Sequence, residues 1–147
     1  MRSPRLSRNP GGPPLRITAD TNVLVRAAVT DDPEQARLAL DLLWNAEIVV
    51  LTPPALCELV WVLLRGYRTA AKDIAAAIRR LAASATVRDR LAVEAGLVLL
   101  EAGGDFADGV IAFDCRRLGG SVFASFDRGA TELIAANGGE TYLLSGA

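Results

Sequence analysis

Histidine is absent from the 147 residues of this chain. Its absence excludes the mechanisms that need an imidazole, namely histidine acid–base catalysis, Ser-His-Asp and Cys-His nucleophiles, and histidine-ligated zinc. If the protein is an enzyme, its chemistry must come from carboxylates, hydroxyls, arginines and any ion that these groups hold.

Cysteines and long apolar runs are also scarce. Cys57 and Cys115 show neither the spacing of a metal site nor a disulfide framework, so we expect a reducing, cytoplasmic environment. No uncharged apolar run approaches the roughly 18–20 residues of a membrane-spanning helix. No apolar segment follows Arg2, Arg5 and Arg8, so we expect neither a membrane protein nor a secretory signal.

The charge of the whole chain says little about its partners. The formal net charge is −1, which produces no general attraction to nucleic acid. Lys72 is the only lysine among 16 basic residues. Arginine suits bidentate phosphate contacts, but a compositional bias of the genome explains the same count and is the favoured explanation.

The length suits one domain with a single core, and 51% of the residues are apolar. Residues 1–14 are rich in Arg, Ser, Pro and Gly, so we expect a disordered lead there, with a basic arm that contacts nucleic acid as the alternative. We expect the folded domain over residues 15–147.

Short apolar strands alternate with helices along this domain. Strands are predicted over 15–19, 47–51, 121–125 and 140–144, with a further short strand at 86–88. Helices are predicted from residue 33, and over 53–65, 69–84, 89–102, 105–118 and 130–136. Because helices that join strands form right-handed crossovers, we expect an α/β fold, a three-layer α/β/α sandwich with a mostly parallel central sheet.

Local signals refine three of these helices. Asp32 is predicted to be an N-cap, with Pro33 at the first position and Gln35 completing a capping box. Asp89 is a candidate cap for the helix that follows it. The helix over 53–65 is apolar nearly all round, which predicts that it is buried.

Five acidic residues occupy equivalent places in this pattern. Asp20 and Asp127 directly follow strands, Glu58 lies in the helix after a strand, and Asp105 and Asp108 open a helix. In a parallel sheet, these positions share the carboxyl edge, where ligands bind. Neighbouring carboxylates repel one another, and a hard divalent cation relieves that repulsion. We therefore expect Mg²⁺, with Mn²⁺ as a substitute, activating a water for displacement at phosphorus.

Each acid also has a purely structural alternative. Asp20 would cap a turn, and Glu58 would face solvent. Asp105 fits an N-cap with Asp108 at the third helical position, which is the favoured explanation for Asp105. Asp127 would pair with Arg128 or start the next helix. The five acids together are more informative than any one of them.

The ordered motifs resemble those of PIN-domain proteins of the VapC toxin type. They are ADTNVLVR at 19–26 with DDPEQ at 31–35, Glu58 in a helix that begins with proline, DFADGVIA at 105–112, and SFDR at 125–128. The resemblance implies a metal-dependent ribonuclease, usually homodimeric, held inactive by a cognate antitoxin. It also implies that the lead at 1–14 precedes a PIN-like nuclease domain.

The resemblance carries site roles onto matching positions. Asp20, Glu58, Asp108 and Asp127 match the acidic quartet, and Asp20 and Asp108 are the expected metal ligands. Asp105 would be an auxiliary acid, Asn22 an orienting polar group, and Ser125 stands where the family commonly has Thr. Gly109 replaces a helix former, and the sequence does not explain it.

The resulting hypothesis is a Mg²⁺-dependent endoribonuclease that acts as the toxin of a toxin–antitoxin pair. The candidates for phosphate contacts are Arg26, Arg65, Arg68 and Arg128, although a solvated surface role is favoured for each. The alternatives are a non-catalytic PIN-like interaction module and an aspartate-based phosphoryl-transfer domain.

An antitoxin would need an apolar groove near the acids. Trp44, Trp61, Leu64 and Tyr67 are candidates to line it, while packing in the core is the favoured placement of each.

Overall fold

The computed structural model describes residues 15–145. The predicted disordered lead, residues 1–14, lies outside the described residues, as do the last two positions of the predicted folded domain. The described elements are, in order, β1 (Arg16–Thr18), α1 (Thr21–Ala28), α2 (Pro33–Asn45), β2 (Ile48–Leu51), α3 (Pro53–Arg65), α4 (Ala71–Ser84), β3 (Thr86–Val87), α5 (Arg90–Glu101), α6 (Phe106–Arg117), β4 (Val122–Ser125), α7 (Arg128–Ala136) and β5 (Glu140–Leu143).

All strand pairings between residues 15 and 145 are parallel. The order β1-β2-β3 makes one sheet, in which Ile17 lies opposite Val49 and Val50 lies opposite Thr86. A second sheet pairs β4 with β5. Parallel strands joined by helices confirm the predicted α/β fold class, with the hydrogen-bonded strands divided between two sheets.

The predicted elements lie within a few residues of the observed ones. The N-cap of α2 is confirmed, because Asp32 Oδ1 accepts a hydrogen bond from the backbone N–H of Gln35 at 3.0 Å. The run after Asp20 forms the short helix α1. None of the helices in the described part of the chain is both long and apolar enough to cross a bilayer.

The main core anchors the helices that carry the acids. Leu24 of α1, Leu56 of α3 and Phe106 of α6 are almost completely buried in one apolar cluster. A smaller cluster surrounds Phe123 of β4 and Ile134 of α7. Because apolar burial is the dominant favourable term in folding, these anchors fix where α1, α3 and α6 begin.

Helices α5 and α6 pack backbone against backbone at two glycines. A Cβ atom on Gly109 would lie 2.6 Å from the carbonyl oxygen of Ala95 and 2.8 Å from the Cα of Gly96. A Cβ atom on Gly96 would in turn lie 2.7 Å from the ring of Phe106. The close crossing therefore explains Gly109, because no larger residue fits there.

Helix α3 is not buried all round, and that prediction is wrong. Leu56, Leu59, Val60 and Leu63 face the core, whereas Trp61, on the opposite side, is 62% exposed. The apolar residues of α3 exceed what one face can bury, so some remain at the surface.

The favoured core placement is also wrong for Trp44, which is 88% exposed at the end of α2, and for Tyr67, which is exposed after α3. Leu64 is partly buried against the main core.

Asp89 precedes α5 as predicted, but its side chain makes no capping hydrogen bond. The residue has a left-handed backbone conformation, with φ of 52°, and its carboxylate pairs instead with Arg117 at 2.9 Å. A charged partner on α6 has replaced the local capping interaction.

Candidate active site

Asp20 stands between β1 and α1, at the carboxyl end of the strand. It is the N-cap of α1, and its Oδ1 accepts a hydrogen bond from the backbone N–H of Thr21 at 2.8 Å. Asp20 and Asn22 are both exposed. The predicted capping role is therefore present, and it leaves the carboxylate accessible to solvent.

Thr21 connects this strand end to Glu58 on α3. The Thr21 side chain is buried, and its Oγ1 lies 3.1 Å from Glu58 Oε2 and 3.4 Å from the carbonyl oxygen of Ala55. A hydroxyl has one proton to donate, and the shorter contact to a charged oxygen is the stronger one. Thr21 was not among the predicted site residues, although a hydroxyl residue directly after Asp20 was a usable signal.

Asp20 and Glu58 open onto the same cleft. The cleft has a volume of about 300 Å³ and is lined by Thr18, Ala19, Asp20, Thr21, Thr52, Pro54, Ala55 and Glu58. Its walls come from the carboxyl ends of β1 and β2 and the first turns of α1 and α3. The structure therefore brings these two predicted acids together at the expected sheet edge.

The other three acids form a second group around the start of α6. Asp105 is the N-cap of α6, and its Oδ1 accepts hydrogen bonds from the backbone N–H groups of Ala107, at 2.7 Å, and Asp108, at 3.3 Å. Partial burial raises the pKa of the Asp108 carboxyl, and the negative charges of Asp105 and Asp127 raise this pKa further. These three carboxylates therefore share one electrostatic neighbourhood.

Asp127 reaches that neighbourhood from the loop between β4 and α7. It is the N-cap of α7, with Oδ1 accepting from the backbone N–H of Ala130 at 3.0 Å. Its own backbone N–H donates to Ser125 Oγ at 3.0 Å, so Ser125 fixes this turn. Between residues 15 and 145, Asp127 forms no ion pair with Arg128, so the alternative of a helix start is the one that the structure shows.

The charge of one acid of the second group, Asp105, acts on α3, the helix that carries Glu58. Burial raises the pKa of the Cys57 thiol, and the charge of Asp105 raises it further. Cys57 is the neighbour of Glu58 on α3, so the field of Asp105 reaches the helix that carries Glu58. Cys57 itself packs against the main core, and the sequence analysis assigned no functional role to it.

The four candidate phosphate ligands lie in different places. Arg26 pairs with Asp31 at 3.1 Å, and Asp31 also accepts a hydrogen bond from the hydroxyl of Tyr67 at 3.0 Å. Arg65 lies two turns beyond Glu58, about 10 Å along α3, and Arg68 lies beyond the end of that helix. Arg128 is next to Asp127 and exposed, which makes it the candidate nearest to an acid of the set.

The donor chemistry of these acids fits a hydrated divalent cation. No three His, Cys, Asp or Glu side chains between residues 15 and 145 form a ready-made ligand cluster. Mg²⁺ usually binds through only one or two carboxylates and keeps several waters. Such an ion would relieve the repulsion that Asp105 and Asp127 exert on Asp108. The carboxylates of Asp20 and Glu58 line an open cleft and are accessible to it.

A separate cavity of about 210 Å³ lies between α5, α6 and the β4–α7–β5 unit. Leu99, Phe123 and Ile134 contribute to its apolar lining, and none of the five predicted acids lines it. Its polar lining includes Glu94, Cys115, Arg116 and Glu140, none of which belongs to the predicted acidic set, so we place the candidate site at the acids instead.

Comparison with known proteins identifies the family. No curated protein matches the chain. The family model for the PIN domain matches residues 17–135, a range that contains all five acids and about four fifths of the chain. With parallel strands joined by helices and acids at the strand ends, the chain belongs to the PIN domain family, whose members are generally nucleases.

Proposed function

We propose that this protein is a Mg²⁺-dependent endoribonuclease that hydrolyses RNA phosphodiester bonds and acts as the toxin of a toxin–antitoxin pair. The nuclease class follows from the family, which is often found in toxin–antitoxin systems and typically uses divalent metals. The RNA substrate, the antitoxin, the homodimer and the cytoplasmic location are parts of the proposal. So is the assignment of residues 15–147 to the nuclease domain.

The observation that carries the proposal is that Asp20 and Glu58 line one cleft at the carboxyl ends of the strands, while Asp105 and Asp127 lie close enough to raise the pKa of Asp108. The charged form of Asp108 is destabilised by burial and by two neighbouring carboxylates, Asp105 and Asp127. An acid whose pKa is raised by burial and by specific charged neighbours is a candidate for a functional site. Such an arrangement is unfavourable for folding alone, so it favours a function that needs concentrated negative charge.

Each acid of the quartet has a role in this proposal, and Asp105 is an auxiliary acid. Asp20 and Asp108 hold the ion, and Asp127 completes the negative site. Thr21 fixes Glu58 through Oε2, which leaves Oε1 to orient a water by accepting its hydrogen bond. A bound Mg²⁺ supplies positive charge beside the phosphate and lowers the pKa of a water. Attack by water leaves a 5′-phosphate and a 3′-hydroxyl.

The test is cleavage of a defined RNA with Mg²⁺, with EDTA, and by the Asp20→Asn variant. We expect cleavage only by the unmodified protein with Mg²⁺, with 5′-phosphate ends on the products. Asp41→Asn is the matched control, because Asp41 is an exposed acid on α2 that pairs with Arg37. Cleavage that survives EDTA or Asp20→Asn contradicts the proposal, whereas a protein with neither cleavage nor Mg²⁺ binding is a non-catalytic interaction module.

A further inference from the structure

The exposed side of α3 forms a single stripe that starts at the cleft. Its exposed residues are Pro54, Glu58, Trp61 and Arg65, which follow one another at the spacing of one helical face. Pro54 and Glu58 line the cleft, so Trp61 lies one turn further along the same face. Helical side chains generally lean toward the helix N-terminus, so we expect the indole of Trp61 to lie on the side of its backbone nearer to Glu58.

Phe126 is a second exposed aromatic residue beside the acids. It is 74% exposed and lies between Ser125 and Asp127. The Ser125–Asp127 hydrogen bond and the cap that Asp127 forms on α7 fix the backbone on either side of it. The turn therefore holds an apolar ring in solvent next to a carboxylate that acts on Asp108.

Each of these aromatic residues has an arginine close by in the chain. Arg65 follows Trp61 by one helical turn, and Arg128 follows Phe126 by two residues. Neither arginine has a carboxylate within 4.0 Å among the described residues, in contrast to Arg79 and Arg117. Both guanidinium groups are thus available to an external anion.

An exposed aromatic ring with an unpaired cation is the chemistry that binds unpaired nucleotides. The face of a base stacks on the ring, and the cation contacts a phosphate. The base pairs of a duplex stack on one another and do not offer their faces in this way. Aromatic residues and arginine are also enriched in protein interfaces; what favours RNA here is that both aromatic–arginine pairs adjoin acids of the proposed nuclease site.

We propose that Trp61 and Phe126 are base-stacking residues that hold the unpaired nucleotides flanking the scissile phosphate, one beside Glu58 and the other beside Asp127. Arg65 and Arg128 contact the neighbouring phosphates. The proposal rests on the proposed nuclease function and names the residues that select unpaired RNA. On this proposal, the protein distinguishes single-stranded from double-stranded RNA through residues that do not belong to the acidic set.

The test measures binding of a fluorescently labelled, short, unstructured RNA by anisotropy. All variants carry Asp20→Asn, which prevents cleavage on the proposed function and removes one carboxylate that repels RNA. We expect Trp61→Ala and Phe126→Ala each to weaken binding about 5- to 150-fold. Trp61→Phe and Phe126→Trp keep a ring and should retain most of the affinity.

Trp44→Ala is the matched control. Trp44 is more exposed than Trp61, but it lies where α2 leads into the amino end of β2. The acids lie at the opposite, carboxyl ends of the strands. Its removal should leave RNA binding unchanged. The same RNA annealed to its complement should bind more weakly to the parent protein and be insensitive to Trp61→Ala and Phe126→Ala.

Three outcomes overturn the stacking proposal. They are the absence of single-strand binding by the parent protein, unchanged binding by both alanine variants, and loss of self-association rather than of RNA binding, seen by sedimentation. The last outcome assigns the aromatic residues to a protein interface. None of these measurements uses catalysis, so Mg²⁺-dependent cleavage by the unmodified protein, measured separately, decides the nuclease proposal by itself.

Discussion

The hydroxyl of Thr21 donates to Glu58 across 3.1 Å and joins the first turn of α1 to α3. The two residues are 37 positions apart in the chain, and the bond is partly buried. Through it, the turn that positions Asp20 also positions Glu58. The geometry of the first acid in the sequence is therefore coupled to that of the second.

We expect Thr21→Val to lower RNA cleavage about 10- to 100-fold, the loss that is typical when a residue that supports a metal site from outside its ligands is removed. Valine has nearly the same shape but cannot donate a hydrogen bond, so Glu58 loses its fixed orientation. Thr21→Ser keeps the hydroxyl and should keep most of the activity. The measurements are kcat, KM and the Mg²⁺ concentration that gives half-maximal rate.

A change in the Mg²⁺ dependence separates positioning from mere packing, which would alter stability alone. If Thr21→Val keeps the activity and the Mg²⁺ dependence of the unmodified protein while Thr21→Ser loses activity, the methyl group rather than the hydroxyl is what matters, and the positioning role is wrong.

Asp108→Asn should stabilise the protein at neutral pH. The pKa of Asp108 is raised in the folded state, so the folded protein binds more protons than the unfolded chain above the ordinary carboxyl pKa. Stability therefore falls as pH rises from that ordinary value through the raised one. Asparagine removes the penalty, and we expect Tm to rise by up to a few degrees at pH 7, since about 1 kcal/mol corresponds to about 2–4 °C in a domain near this size.

The gain should disappear as pH falls below the ordinary carboxyl pKa, because the aspartate is then neutral in both states. Asp73→Asn is the control, since Asp73 occupies the same position in the first turn of α4, where the N-cap is Ala70 and no other acid lies in the turn. Its loss removes a favourable helix-dipole interaction, so it should be neutral or slightly destabilising. Equal stability of Asp108→Asn and the unmodified protein at pH 7 would contradict the electrostatic argument.

Much of the fold and the capping roles of three acids could be predicted from sequence because they depend on near neighbours in the chain. Asp32, Asp105 and Asp127 each accept a hydrogen bond from a backbone group two or three residues ahead. Strand and helix order follows from apolar spacing, which is equally local. Both kinds of signal can be recognised without knowledge of the tertiary structure.

The parts that sequence did not predict depend on contacts between distant segments. The Thr21–Glu58 bond needs α1 and α3 to be placed side by side. Trp61 illustrates the same limit, because periodicity gives the faces of α3 but not the number of neighbours that cover them. Asp89 pairs with Arg117, 28 positions away, rather than capping its own helix.

Gly109→Ala should destabilise the protein by about 1–3 kcal/mol, the usual cost of overpacking. Alanine is normally better than glycine in a helix by about 1 kcal/mol. Here its Cβ would lie 2.6 Å from the Ala95 carbonyl oxygen, so α5 and α6 must separate. Chemical denaturation measures the change in the free energy of unfolding.

Gly129→Ala on α7 is the control for helix propensity. The atom that its added Cβ would meet outside the backbone of α7 is Asp127 Oδ1 at 3.3 Å, a side-chain atom rather than backbone, so the change should cost much less than Gly109→Ala. A stabilising Gly109→Ala would show that the helices separate without cost, and the close crossing would then not explain the glycine.

Asp105 combines a capping role with an electrostatic one, and two substitutions separate them. Asp105→Ala removes the cap and should cost about 1 kcal/mol of stability. Asp105→Asn keeps a capping oxygen but removes the charge that raises the pKa of both Asp108 and Cys57. Both substitutions should therefore lower the pKa of Asp108, while only the alanine variant loses the cap.

Carboxyl NMR titration of Asp108 and the pH dependence of Cys57 alkylation measure the two pKa values. Asp32→Asn is the control, because Asp32 caps α2 in the same way and should leave both values unchanged. If Asp105→Asn shifts neither pKa, Asp105 is a cap alone, as its local sequence favours. If it lowers both, the carboxylate that caps α6 also raises the pKa of Cys57 on α3, and Asp105 then serves both the helix cap and the electrostatics of the site.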